Sequence, residues 1–425
     1  MGPIILFASF MLFLILSVPV AISVGLSSAI MIFQDGMPPT VIIQRLFTTM
    51  DSFTLLAVPF FILAGGLMEK GGMSKRLVDF AYSLVASMTG GLGMVSILAC
   101  MFFASISGSG VATVAAIGAI MIPAMVAKGY DKGFASSTVA AAGELGVVIP
   151  PSIPLILYGV AAGVSIQDLF FAGIIPGFMI GVTFMILVYF VSKVKKYSGE
   201  KRYSWKEKFI SFKDAILALI MPVIILGGIY SGYFTPTESA VVACVYALIV
   251  GLFVYKELKW KDLPQIFYNC ALTSSVVLII IANAGLFGWI LTSDGVPQAV
   301  ATWFGGVSSN PIIFLLIINL LLFIVGMFFD SGAAILILAP ILVPVAISYG
   351  IDPVHFGIVM IVNLAMGMIT PPFGVNLFMV SQVANISMEK LLKYTVLFVL
   401  VMIANVLILS YIPSISTWLP QVFTK

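Results

Sequence analysis

Apolar residues run through this chain in long, nearly unbroken blocks, not in the alternation of a protein that turns one face to water. The first charge is Asp35, and apolar blocks of spanning length recur to the C-terminus. In lipid each block must be a helix, because no water satisfies open backbone groups there. The blocks predict spans over 4–33, 52–69, 133–163, 169–192, 215–232, 237–255, 266–290, 354–385 and 394–418. Two more blocks, 88–127 and 308–348, are broken midway by Ser105-Ile-Ser-Gly-Ser-Gly110 and Gly326-Met-Phe-Phe-Asp-Ser-Gly332. Each arm is about 17 residues, or about 25 Å at 1.5 Å per residue. Polar tips at that depth predict re-entrant hairpins, covered by protein or by a cavity.

Composition fixes the class. Hydrophobic residues make up 61% of the 425 and charged residues 9%, with a mean hydropathy of +1.19. A soluble domain carries about 25% charge, so the reading is an all-α polytopic integral membrane protein. The first block has no basic n-region and is followed by further spans, unlike a secretory signal. Of the 20 Lys and Arg, all but Arg45 and Lys425 fall in loops 70–76, 128–132, 193–213, 256–261 and 387–393. Those loops are expected to be cytoplasmic. Nine crossings then predict a cytoplasmic N-terminus and a periplasmic C-terminus. With its basic residues in short loops, the chain gives no sign of nucleic acid binding. Cys100, Cys244 and Cys270 stand singly in apolar blocks and are expected to pack.

One offset recurs. Adding 221 takes Pro123 to Pro344, Gly129 to Gly350, Asp131 to Asp352, Gly146 to Gly367, Pro150 to Pro371 and Pro151 to Pro372. Loops 70–76 and 128–132 are basic, whereas their counterparts 291–298 and 349–353 carry no Lys or Arg. The expectation is two inverted repeats, 1–214 and 215–425, each with a hairpin and a broken helix (133–163 and 354–385). Inverted repeats with interrupted helices build secondary transporters, with substrate and ions near the midplane. Such halves can exchange conformations and so expose one site to either side.

The chemistry follows from the breaks. In Gly143-Glu-Leu-Gly-Val-Val-Ile-Pro-Pro-Ser152 and in 363–376 a proline pair removes two donors and frees upstream carbonyls. Freed carbonyls with Ser and Thr hydroxyls suit a hard cation such as Na⁺. At least two Na⁺ sites are expected. The first takes Ser105, Ser107, Gly108, Ser109, Gly143, Gly146 and Pro150; the second takes Asp330, Ser331, Gly332, Gly367, Thr370 and Pro371. Glu144 and Asp330 are the acids placed deepest, where a charge costs about 2.5–3.5 kcal/mol and usually faces a functional cavity. Neither has an intramembrane basic partner, so a cation is the natural counter-charge. Substrate contacts are expected from Ser107, Ser109, Asp330, Thr370 and Asn376, with helix N-termini holding an anion. His355 reads as structural, and the amphipathic runs Leu77 to Ser87 and Pro297 to Trp303 as interfacial helices. Enzyme templates fail: the lone His355 is poorly placed to serve a nucleophilic Ser within the membrane, and no GxGD-type motif for facing acids and no P-loop occur, so the chain is not read as an enzyme.

Phe103-Ala-Ser-Ile-Ser-Gly-Ser-Gly-Val-Ala-Thr-Val114, Gly143 to Ser152, Asp330-Ser-Gly332 and Ile369-Thr-Pro-Pro-Phe-Gly374 closely resemble the large membrane subunit of tripartite ATP-independent periplasmic (TRAP) transporters, the DctM-like family. The resemblance covers essentially the whole chain and is nearest the sialic acid branch (SiaM). It implies Na⁺-coupled import of an organic acid, sialic acid in that branch, across the bacterial inner membrane by an elevator motion. It also implies a periplasmic binding protein and a small four-helix membrane subunit, here a separate chain. A stand-alone Na⁺/dicarboxylate symporter and a passive channel are the alternatives.

Overall fold

The computed structural model describes residues 2–200 and 202–423; Lys201 and Lys425 of the charge argument lie outside them. The described residues form helices and connecting turns with no strands, and nine helices are long and apolar enough to cross a membrane.

The block 4–33 is not one span. It is two helices, Gly2–Ile15 and Val20–Gln34, folded back on each other: a Cβ at Gly2 would stand 2.5 Å from Met31 Cε and 2.9 Å from Asp294 Oδ2. The chain turns at Ser17, whose φ of 61° is left-handed. Val18 N–H donates to Phe13 O (3.0 Å) and Ser17 N–H to Leu14 O (2.9 Å), closing a Schellman turn, and Pro19 follows with no N–H to continue the helix. Gly2 and Gln34 thus share one end of the molecule. That end is opposite Lys256, Lys259 and Lys261, because Asp294 closes the far end of Leu263–Ser293. The single span expected over 4–33 is therefore two short helices, and Gly2 lies at the end of the molecule away from Lys256, Lys259 and Lys261.

Two other boundaries shift. The last part of loop 193–213 is helical, since Trp205–Tyr230 begins at a capping box in which Ser204 N–H donates to Glu207 Oε2 (2.6 Å) and Glu207 N–H to Ser204 Oγ (3.3 Å). The division at 214/215 falls inside that helix. The block 394–418 is two helices, Met388–Tyr411 and Ser414–Phe423. The Ser414–Phe423 helix lies against Ile166–Lys195, with the Phe171 and Phe423 rings 5.3 Å apart.

Elsewhere the elements fall where the pattern placed them. The first hairpin is Gly91–Ser107 and Gly110–Ala127; the second is Pro311–Phe328 and Ser331–Ser348. The first broken helix runs Lys132–Gly143, Leu145–Val148 and Ile153–Ala162, bent by 41°. The second runs Pro353–Gly367 and Val375–Ala384. Starts and ends recur at the 221-residue offset: Gly110–Ala127 maps onto Ser331–Ser348. Amphipathic helices Met73–Val85 and Val296–Val307 precede the hairpins. Cys100, Cys244 and Cys270 are free and buried. His355 is buried with Nδ1 2.7 Å from Ser416 Oγ, a packing contact between helices.

Candidate functional site

Both hairpins turn where helix geometry cannot continue. At the first tip Gly108 is left-handed (φ 60°), and a Cβ there would stand 2.9 Å from Pro151 O, so glycine alone fits. Ser109 then caps the second arm, its Oγ accepting from Ala112 N–H at 3.4 Å. At the second tip Phe329 is extended and Asp330 caps Ser331–Ser348 by accepting from Gly332 N–H at 2.9 Å.

Each broken helix then reaches its own tip through one backbone hydrogen bond. Ile153 N–H donates to Gly108 O (3.2 Å), and Phe373 N–H donates to Met327 O (3.2 Å). Glycines permit the approach. Gly146 lies so near the first tip that a Cβ would stand 2.5 Å from Ser109 O, and Gly367 so near the second that a Cβ would stand 2.2 Å from Gly326 C. Both proline pairs, Pro150-Pro151 and Pro371-Pro372, are cis.

Around the first tip the oxygens form a compact set. Ser107 Oγ and Thr113 Oγ1 are 3.1 Å apart, and Thr113 Oγ1 donates to Ser109 O at 2.8 Å. Gly143 packs on Gly110, and Asn376, from the second broken helix, is fully buried beside both, donating from Nδ2 to Ala140 O (3.2 Å) and leaving Oδ1 without a partner. Asn376 therefore stands at the first tip, within the opposite half. Ser105 points elsewhere: its hydroxyl donates back to Phe102 O at 2.7 Å. Pro150 packs on the Ile166–Lys195 helix near Gly173.

Around the second tip, Ser331 Oγ–H donates to Met368 Sδ at 3.2 Å, and Thr370 Oγ1–H donates to Met366 O at 2.8 Å, one turn back on its own chain. That proton is committed, while the Thr370 lone pairs stay available. Gly332 lies against Leu157, and Pro371 is half-buried. Met368 also touches the first tip, its Cε 3.2 Å from where a Cβ on Gly110 would stand. The second broken helix thus contacts both tips.

The tips open into one cavity of about 420 Å³, floored by Gly108, Ser109, Asp330 and Ser331 and walled by Thr273 and Met368 among others. Asp330 is its single charged lining residue and is exposed to it; no Lys or Arg lines it. Glu144 is not part of it. The side chain is fully buried at the break after Gly143, with neither carboxyl oxygen partnered, so the expectation that it faces a cavity is corrected.

Sequence reading missed Thr113 and Met368. Thr113 stands one turn beyond the tip, where an i+4 hydroxyl returns to the Ser109 carbonyl, a spacing that was legible. Met368 carries no polar signal. Replacing Thr113 with Val keeps the shape but removes both hydrogen bonds. A loss of about 1 kcal/mol at the first tip, or about fivefold in half-saturating cation concentration, is expected. Unchanged cation dependence of uptake would remove Thr113 from the site.

Residues 7–415 match the family model described as "Tripartite ATP-independent periplasmic transporter, DctM component". The chain belongs to the TRAP transporter large-permease family. It is 46% identical over 417 residues to the isethionate TRAP transporter permease protein DctMQ of Oleidesulfovibrio alaskensis, covering 97% of this chain and 65% of that protein, so it spans less than two thirds of that relative. It is 43% identical to the C4-dicarboxylate TRAP transporter large permease protein DctM of Pseudomonas aeruginosa, covering 94% of each. It is 41% identical to the sialic acid TRAP transporter large permease protein SiaM of Vibrio cholerae, covering 89% of each. Among solved structures, the YdaH transporter of Alcanivorax borkumensis superposes with a TM-score of 0.64 at 14% identity, over 90% of this chain and 88% of that one, a likeness of fold. As a TRAP large permease the chain is a multi-pass membrane transport component, not an enzyme.

Proposed function

We propose that this TRAP permease imports a small organic anion by Na⁺-coupled alternating access, with the two tips and the two broken helices holding substrate and ions. The observation that carries it is the single shared cavity, lined by both tips, with Asp330 its only charge. An anion entering beside an unpaired carboxylate is repelled. Na⁺ at Asp330 removes that repulsion and supplies a positive partner for the anion, so ion and substrate bind better together than apart. Ser109, Ser331 and the Gly110 and Ser331 helix starts face the same space, and Ser107, Asn376 and Thr370, buried beside the tips and outside its lining, are assigned the remaining oxygens.

The matching helix ends support two inverted repeats, divided ahead of Ser204 and not at 214/215. Two repeats of this kind fit an elevator in which hairpins and broken helices move against the Ala57–Lys70 and Leu263–Ser293 helices. With the basic loops in the cytoplasm of a bacterial inner membrane, Gly2 and the Ser414–Phe423 helix both lie at the periplasmic end. The family implies a small membrane subunit and a periplasmic binding protein as partners. Substrates named for the relatives, isethionate, C4-dicarboxylates and sialic acid, share a compact anionic head. Sialic acid is one member of that class to be tried, beside C4-dicarboxylates.

Proteoliposomes holding the chain with its small subunit and binding protein test the reading. Uptake is expected only with an inward Na⁺ gradient. Equal uptake in K⁺ medium rejects Na⁺ coupling, and full activity of the chain alone rejects the partners.

A further inference from the structure

A second, smaller cavity of about 200 Å³ adjoins the one between the tips. The two share Ile62, Ser109, Ala112, Ile153 and Thr273 as a common wall, so they lie side by side at the first tip. The smaller one leads away from the first tip along the Ala57–Lys70 and Leu263–Ser293 helices and ends at Glu69 and Asn269. Glu69 is exposed and immediately precedes the basic loop 70–76. Asn269 and Thr273 lie one turn apart on one helix face, in line with Gln265. Gln265 Nε2 donates to Asn269 Oδ1 (2.9 Å), and Thr273 Oγ1–H donates to Asn269 O (3.0 Å).

Across this space from the tip oxygens of Ser107 and Ser109 stand a carboxylate, a carboxamide oxygen and a hydroxyl oxygen whose proton is committed. That is a donor set for a hard monovalent cation. Its carboxylate is one-sided. The residue 221 positions after Glu69 is Ile290, which is 3% exposed, so the mirror-related position at the other end is apolar and packed.

We propose that Glu69, Asn269 and Thr273 form a cytoplasmic cation station, occupied by Na⁺ on its way out of the first tip. Neither the family nor the paired tips require this site, and it rests on the Na⁺-coupled reading above. Na⁺ leaving Ser107 and Ser109 meets the Glu69 carboxylate before bulk water. Cytoplasmic Na⁺ occupying the same station opposes further release, so the station sets how strongly internal Na⁺ restrains uptake.

The test compares the two faces of the membrane in the reconstituted complex. Wild-type uptake is measured against external Na⁺ and, separately, against Na⁺ loaded inside the vesicles. Glu69→Gln is expected to raise the internal Na⁺ concentration that halves uptake by about tenfold, as loss of a near carboxylate from a cation site does. External Na⁺ activation is expected to stay within about twofold, a change of about 0.4 kcal/mol. Adding Asn269→Asp to Glu69→Gln, which returns a carboxylate to the same cavity, is expected to restore internal sensitivity. Equal shifts on both faces, or no internal shift, overturn the station. So does failure of Asn269→Asp to restore sensitivity in a complex that elutes as wild type. If wild-type uptake itself ignores Na⁺, the coupling reading fails first, and that result is distinct from a wild type that is Na⁺-driven yet indifferent to Glu69.

Discussion

Gly367→Ala is expected to abolish uptake and to lower the thermal unfolding midpoint of the purified complex. A Cβ at Gly367 would stand 2.2 Å from Gly326 C and 2.5 Å from both Gly326 Cα and Gly326 O. Those are backbone atoms of the opposing helix, so no side-chain rotation relieves the clash. Gly326 is confined too, though less tightly, with Leu364 O 3.0 Å from its own Cβ position. The two helices must separate, which costs about 3 kcal/mol, the upper end of the range for overpacking. Separation also breaks the Phe373-to-Met327 bond and pulls the Pro371 break off the second tip. Gly305→Ala is the control: nothing lies within 4 Å of its Cβ position, and alanine is the better helix former. Wild-type uptake by Gly367→Ala, with an unchanged midpoint, would show that the contact between broken helix and hairpin does not matter.

Asp330→Asn carries the second large effect and separates two roles of one side chain. Asp330 caps Ser331–Ser348 through Gly332 N–H, and asparagine caps a helix about as well as aspartate. The fold of the tip is therefore expected to survive, while the charge facing the cavity is lost. Half-saturating Na⁺ for uptake is expected to rise by tenfold or more, equivalent to about 1.4 kcal/mol or more. Asp330→Ala removes the cap as well and costs about 1 kcal/mol of stability beyond that. Unchanged Na⁺ dependence in Asp330→Asn would take the carboxylate out of the ion site.

Much of this architecture was legible before any coordinates. Hairpin tips announce themselves because a Gly/Ser or Asp/Ser/Gly run inside an apolar block has no other tolerable place in lipid, and proline pairs mark breaks for the covalent reason that they lack donors. The turn at Ser17 stayed hidden. A left-handed helix end usually advertises itself with glycine, and here serine fills it within an apolar run whose length alone passes for one span. The helical start at Trp205 was obscured by its lysines, although the Ser204/Glu207 spacing is a capping box that the sequence displays.

The site divides similarly. Gly146 and Gly367 were placed by symmetry, and the close approaches they allow explain why a side chain does not fit. Asn376 was tied to substrate by its place after the second break, whereas tertiary packing carries it to the first tip, a contact across 236 residues. Glu144 was read as facing a cavity because charge in lipid usually does; helix packing at the Gly143 break encloses it instead. No periodicity reports either outcome, since both depend on which helices cross.

Radiosodium and substrate fluxes measured in parallel, in the reconstituted complex under one inward Na⁺ gradient, test the central claim most directly. Two tips that each hold a cation predict substrate-dependent Na⁺ entry at two or more ions per anion, falling in Asp330→Asn. Substrate accumulation with no accompanying Na⁺ entry would contradict it.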